Sequence, residues 1–360
     1  MSTAVERTPQ SVQTAPSTRS GVARLRAIRR SEARRPMLGL LFLLALAVGA
    51  FFVRTLLGTY TISFPDFLTL VSGGDVPVRG AKFILMEDKM PRAVLGALAG
   101  MAFGCAGAIF QLLLRNPLAS PDIIGISNGA SLGAVIAIMF WGASGVNVSI
   151  AAIIFALATA ALTMALAAGQ GNVGNRFILM GIGVAALGSA VVTYLMERAS
   201  LGQATNATLW MIGSLGPANW ERISIVSVAL IVMLPLVLIG VRPLKMTAVG
   251  DDLSRSVGVP VTLIRWYYIA IGVLLAAIAT AATGPIAFVA FVSGPIARRV
   301  LGGRHSLLGA SLVGASIIMF ADFAAANLIP SVQFPVGIFT GAFGAPVLIW
   351  LLVKNQQKGN

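Results

Sequence analysis

Ten apolar runs, each of about twenty residues, leave this chain few ways to fold. They lie at roughly 37–57, 91–114, 123–142, 147–168, 177–198, 222–241, 263–283, 285–301, 306–326 and 335–353. A helix rises about 1.5 Å per residue, so about twenty residues cross the roughly 30 Å hydrocarbon layer of a bilayer. The runs lack the strict alternation of a membrane barrel, so helices must satisfy the backbone inside lipid. Composition agrees: charged residues are 11% of the chain against about 25% in soluble proteins, and mean hydropathy is +0.89. The predicted fold class is an all-α polytopic membrane protein, with the permease domain over 37–355 and a basic, disordered tail over 1–36.

The net charge of +14 raises the possibility of nucleic acid, but its placement argues for membrane topology. Eight arginines fall in residues 1–36, where the reading is a cytoplasmic tail touching anionic lipid. With the N-terminus inside, 19 of the 26 basic residues fall in cytoplasmic segments, which predicts an N-in, C-in chain. The longest inner loop is 242–262. Segment 62–68 reads as a short interfacial helix, and Trp210 and Trp220 in segment 199–221 suit a headgroup region. The lone Cys105 excludes an internal disulfide, and with His305 as the single histidine no bound metal is expected. A parallel internal repeat is expected from the pairs 107/284, 116/294 and 129/309.

Gly96, Gly100 and Gly104 recur every four residues, a spacing that lets two helix backbones approach closely in lipid. Gly337, Gly341 and Gly344 read the same way. Prolines 91, 117, 121, 285, 295, 335 and 346 fall at expected span ends or breaks, and Pro285 and Pro295 bracket a helix too short to cross alone. Span ends such as Glu197 aside, Asp322 is the one carboxylate expected within a span, where a charge costs about 2.5–3.5 kcal/mol, so it should face protein or water in a capping or structural role. The sequence has no G-x-x-x-x-G-K-[ST] phosphate loop, so ATP is not held here by that route. Intramembrane ligands for a coupling ion are also missing, which weighs against a secondary transporter.

Three segments together resemble the FecCD-type permeases of iron-siderophore, haem and vitamin B12 importers. Met90-Pro91-Arg92, then Gly107 to Gln111, then Asn116-Pro117-Leu118-Ala119-Ser120-Pro121-Asp122-Ile123-Ile124-Gly125-Ile126-Ser127-Asn128-Gly129-Ala130, is similar to LPR…GxxxQ…NPLAxPxxLGxSxGA. Gly284-Pro285-Ile286-Ala287-Phe288-Val289 is similar to GPIxFV. Phe334-Pro335-Val336-Gly337 through Gly344-Ala345-Pro346 resembles LPVGxxTxxxGAP. The likeness spans about residues 40–355.

The resemblance implies a type II ATP-binding-cassette importer permease of ten helices, in the cytoplasmic membrane of a bacterium. It further implies separate ATPase subunits that hold ATP and magnesium, a second permease subunit and an extracytoplasmic binding protein. The substrate it implies is an iron-siderophore, with haem or cobalamin as the alternative. Lys89 and Arg92 stand where the family's vitamin B12 member docks its binding protein. The third basic site falls near the neutral Asn327, which favours a heterodimer. The stretch Gly250, Asp251, Asp252, Arg255, Ser256 and Gly258 resembles the coupling helix that meets the ATPase, and acids at a helix start with glycine at its end suit that form. Asn116, Pro117, Gly284, Pro285 and Pro295 are expected on the translocation path or its gate. Ser293-Gly294-Pro295 departs from the family's V-P-H, so nothing that depends on that histidine carries over.

Overall fold

The computed structural model describes residues 18–168, 173–329 and 332–356, and every regular element among them is helical. Helix α1 spans Thr18–Leu56 and α2 Phe64–Val71, while α3 occupies Ala81–Leu114. Next come α4 (Ile126–Trp141), α5 (Val146–Ala167), α6 (Val173–Arg198), α7 (Leu201–Ile212) and α8 (Trp220–Ile239). The short α9 (Val241–Thr247) and α10 (Asp251–Ser256) precede α11 (Val261–Thr283), α12 (Val289–Val300), α13 (Leu307–Asn327) and α14 (Val336–Gln356). Among the described residues, seven helices are long and apolar enough to cross a membrane. The other expected spans fall on the shorter α4 and α12 and on the apolar stretch Val336–Trp350 of α14.

Two boundaries differ from expectation. Helix α1 runs back to Thr18, so 18–36 is helical rather than the disordered tail read from its charge. Once a span nucleates a helix, each further residue adds a hydrogen bond at little cost, and Ala, Arg and Glu are good helix formers. Residues 1–17 lie outside those described. Segment 199–221 also holds a helix, α7, started by a capping box between Ser200 and Gln203. Trp210 packs against the core from it, whereas Trp220 stays exposed and its Nε1 donates to the Met86 carbonyl at 2.8 Å.

Proline chemistry shapes the elements that matter below. Pro91 has no N–H to continue the ladder, and the chain takes a π-helical turn over Ile84–Lys89, where the Met90 N–H reaches back to the Leu85 carbonyl. Between α11 and α12 the backbone breaks at Gly284 and Pro285, with Gly284 and Phe288 both at positive φ. The expected span 285–301 is therefore the shorter α12, and Pro295 lies inside it rather than at its end. The repeat pairs fall on unlike places: Gly107 is mid-helix but Gly284 lies past a helix end, and only Gly129 and Gly309 both open helices.

Helix α3 sits at the centre, packed by α11, α12 and α13, whereas α6 is exposed along most of its length. Lipid tails are as apolar as leucine, so close van der Waals packing must hold such a bundle together. Glycine supplies it on α3. A Cβ at Gly100 would lie 2.6 Å from the Ala315 Cα, and one at Gly104 2.9 Å from the Ala310 carbonyl carbon. Gly96 faces side-chain atoms, of Leu215, Ile318 and Met319, rather than backbone. In α14, Gly337 abuts the Ile212 carbonyl and Gly344 abuts Phe288, but Gly341 faces open space, so the packing role expected of it does not hold. Gly337→Ala should therefore lower the unfolding midpoint while Gly341→Ala leaves it unchanged or raises it. Equal losses at both positions in a detergent thermal melt would refute this.

Candidate functional site

At one end of the bundle, three helices converge on Asp322. Arg54 of α1 donates from Nε to Oδ2 at 2.5 Å, and Arg92 of α3 from Nη2 to Oδ1 at 2.9 Å. Asp322 is 1% exposed and the two arginines 2% and 5%, so this is a buried cluster with one more cation than anion. Asp322 thus has the structural role, as an ion-pair centre and not a helix cap. Lys89 is also buried, and its Nζ donates to the carbonyls of Leu57, at 2.8 Å, and Tyr60.

The sequence places Lys89 and Arg92 as free rim charges; the structure turns both inward. A buried charge needs partners, and these two find them within the chain. Arg92 reaches out only through Nη1, to Asp88 at 3.4 Å and Gln333 at 3.3 Å. Asn327, taken as a gap in the rim, accepts from the Thr59 N–H at 2.9 Å and holds the Gly58–Thr59 turn. Arg54 was missed as a partner. The signal was present, since a lone aspartate in an apolar run demands an opposite charge at the same depth.

At the other end, Arg115 adopts positive φ just past α3 and reaches across to the short α10. Its Nε donates to the Thr247 carbonyl at 2.9 Å and its Nη2 to Asp251 Oδ1. Arg265 of α11 donates to Asp251 Oδ2 at 2.9 Å. One carboxylate therefore ties α10 to both α3 and α11. Partial burial pushes the Asp251 carboxyl upward, but Arg265 and then Arg115 outweigh it and hold the group below its ordinary value. Gly250 and Gly258, both at positive φ, bracket the helix, and the Ser254 hydroxyl donates to the Met246 carbonyl at 2.9 Å. Asp252, Arg255, Ser256 and Gly258 are exposed.

The residues expected on the translocation path divide between two places. Pro117 and Pro295 line a pocket of about 210 Å³ at the Asp251 end, together with Gln111, Arg115, Arg298 and His305. Burial, then Arg298 and Lys245, push the His305 imidazole below its ordinary value. Asn116 is exposed beside this pocket, its side-chain oxygen accepting from the Leu118 N–H at 2.9 Å. Pro285 instead lines a larger cavity of about 470 Å³. Gly284 stands behind Pro285, fitted against Gly213 where a Cβ would lie 2.9 Å from that residue's Cα. Asp122, Ser127, Asn128, Ser131, Ser189 and Thr193 supply the polar wall of the cavity from α4, α6 and the turn before α4. The Ser127 hydroxyl donates to Asp122 Oδ1, while Oδ2 takes no hydrogen bond among the described residues. Burial pushes the Asp122 carboxyl upward, and the Ser127 bond opposes this.

A bundle of apolar helices with a partly polar cavity and a short exposed helix pinned to two of its central spans is an architecture that suits a membrane transport subunit. The chain belongs to the FecCD transport family, whose model matches residues 43–354, and it is a permease subunit of an ATP-binding-cassette importer. It is 38% identical over 286 residues to the ferric enterobactin transport system permease protein FepG of Escherichia coli (strain K12), covering 79% of this chain and 86% of that one. It is 32% identical over 328 residues to the Fe(3+)-citrate import system permease protein YfmE of Bacillus subtilis (strain 168), covering 90% and 97%. Among solved structures it resembles an inward-facing conformation of a putative metal-chelate type ABC transporter, with a TM-score of 0.77 and 25% identity, over 88% of this chain and 98% of that one.

Proposed function

We propose that this chain carries an iron-siderophore-type chelate inward across the cytoplasmic membrane, by alternating access driven by separate ATPase subunits that hold ATP and magnesium. Both termini lie in the cytoplasm in this reading, so α10 faces the ATPase and the Arg92 end faces an extracytoplasmic binding protein. The second permease subunit is a different chain, making a heterodimer.

The observation that carries the reading is the pinning of α10. Val249, Leu253 and Val257 are 70%, 57% and 61% exposed. Leu253 stands on α10 and Val249 and Val257 on the turns that bracket it, so exposed apolar surface lies outside the spans, which suits a protein partner. Asp252 and Arg255 are exposed beside Leu253, while Asp251 on the inward side is held by Arg115 and Arg265. A push on α10 is therefore delivered to α3 and α11 together.

Asp251→Arg would set three like charges together and release the pinning. We expect uptake of the chelate by the reconstituted complex to fall at least about tenfold, while the ATPase still hydrolyses ATP. Uptake should also persist when the proton gradient is collapsed and ATP is maintained. Wild-type uptake driven by a proton gradient without the ATPase would remove the importer reading. Full uptake by the Asp251→Arg complex would remove only the role given to α10.

A further inference from the structure

The polar cavity behind Pro285 has an uneven chemistry. One wall offers four hydroxyls, from Ser127, Ser131, Ser189 and Thr193, with the Asn128 amide and the Asp122 carboxyl, and the rest is apolar, from Val192, Met211, Ile212, Pro285, Ile286 and Ala287. None of the described residues that line it is Lys, Arg or His. The smaller pocket at the Asp251 end differs, with Arg115, Arg298 and His305 in its lining, whereas a third pocket, among Phe288, Phe320 and Phe339, is almost wholly apolar. In surroundings of low dielectric, a negative charge passing the larger cavity meets no cation to replace its lost water. Asp122 adds repulsion when ionised and supplies no positive charge when protonated.

We propose that the chelate touches this wall in passage, and that the wall favours neutral ferric chelates over polyanionic ones. The inference rests on the importer reading above and goes further by naming the class of cargo. Three hydroxamate groups each bring one negative charge and neutralise ferric iron. Three catecholates each bring two and leave a trianion. Hydroxyls and an amide both donate and accept, which matches the carbonyl and N–H groups on the skin of a neutral chelate. Specificity of this kind comes from what the wall withholds as much as from what it offers.

The test uses the complete complex in vesicles, with permease subunits, ATPase and binding protein, the binding protein being saturated with each chelate in turn so that the membrane step sets the difference. The probes are a neutral ferric tris-hydroxamate and a trianionic ferric tris-catecholate of similar size, each labelled with radioactive iron. Binding to the complex and ATP-dependent uptake are both measured. The wild type should prefer the neutral chelate by at least about tenfold. Ser131→Lys on α4 and Thr193→Lys on α6 should each move that ratio toward the trianion, and having one variant on each helix guards against a single failure to fold. Equal handling of the two chelates by the wild type, or an unmoved ratio in a lysine variant that still takes up iron, overturns the proposal. If the wild type takes up neither chelate with the binding protein present, the reading of the cargo as a ferric chelate itself falls, and the proposal with it.

Discussion

Replacing Asp322 with alanine should cost about 3–5 kcal/mol of stability, because it strips the counter-charge from two buried guanidinium groups. The carboxylate is 1% exposed, and its oxygens are divided between Arg54 of α1 and Arg92 of α3. Without it, both cations remain below the surface with no anion between them. Arg54 Nη2 and Arg92 Nε already lack partners among the described residues, so the cluster has no spare acceptor to fall back on. Arg54→Met should cost less, since Asp322 then keeps Arg92 and one excess cation is removed. Unfolding in mixed micelles, monitored by tryptophan emission, gives both numbers. A loss of under about 1 kcal/mol for Asp322→Ala, the range of an exposed pair, would mean that the cluster is solvated.

The second large effect belongs to the contact between α3 and α13. Gly100→Leu should abolish the folded protein, and Gly100→Ala and Gly104→Ala should each cost about 1–3 kcal/mol or more through overpacking. A Cβ at Gly100 would press on the Ala315 backbone, and one at Gly314 would lie 3.2 Å from the Gly104 Cα. Backbone in a packed helix pair cannot rotate aside as a side chain can. Gly96 provides the control. A Cβ there would meet the Leu215 Cδ1 at 3.0 Å and the Ile318 Cγ2 at 3.3 Å, side-chain methyls that can give by a few tenths of an ångström where backbone cannot. Alanine also favours a helix over glycine by about 1 kcal/mol, so Gly96→Ala should be close to neutral. The measurement is folded yield on gel filtration followed by thermal melting. Equal tolerance at Gly96 and Gly100 would break the argument.

The sequence by itself determined that the chain is helical and membrane-embedded, and it located most of the spans. Hydrophobic length and the need to satisfy the backbone in lipid are local properties, written within each run of about twenty residues. It also located the exposed helix at 251–256, whose acids and bracketing glycines stand in one short stretch. The glycines of α3 were legible as a packing face, but not their partner: Gly314 lies 214 positions after Gly100, and nothing local joins them. The same limit hid the charge clusters. Arg54 and Asp322 are 268 residues apart, and Arg115 and Asp251 are 136 apart. Spacing along a chain can mark a charge as expensive, but only the tertiary fold decides which distant group neutralises it. For that reason Lys89 and Arg92 read as a rim from sequence and stand as buried struts in the structure. The hydroxyls of α4 and α6 likewise become one wall only when the two helices face the same space.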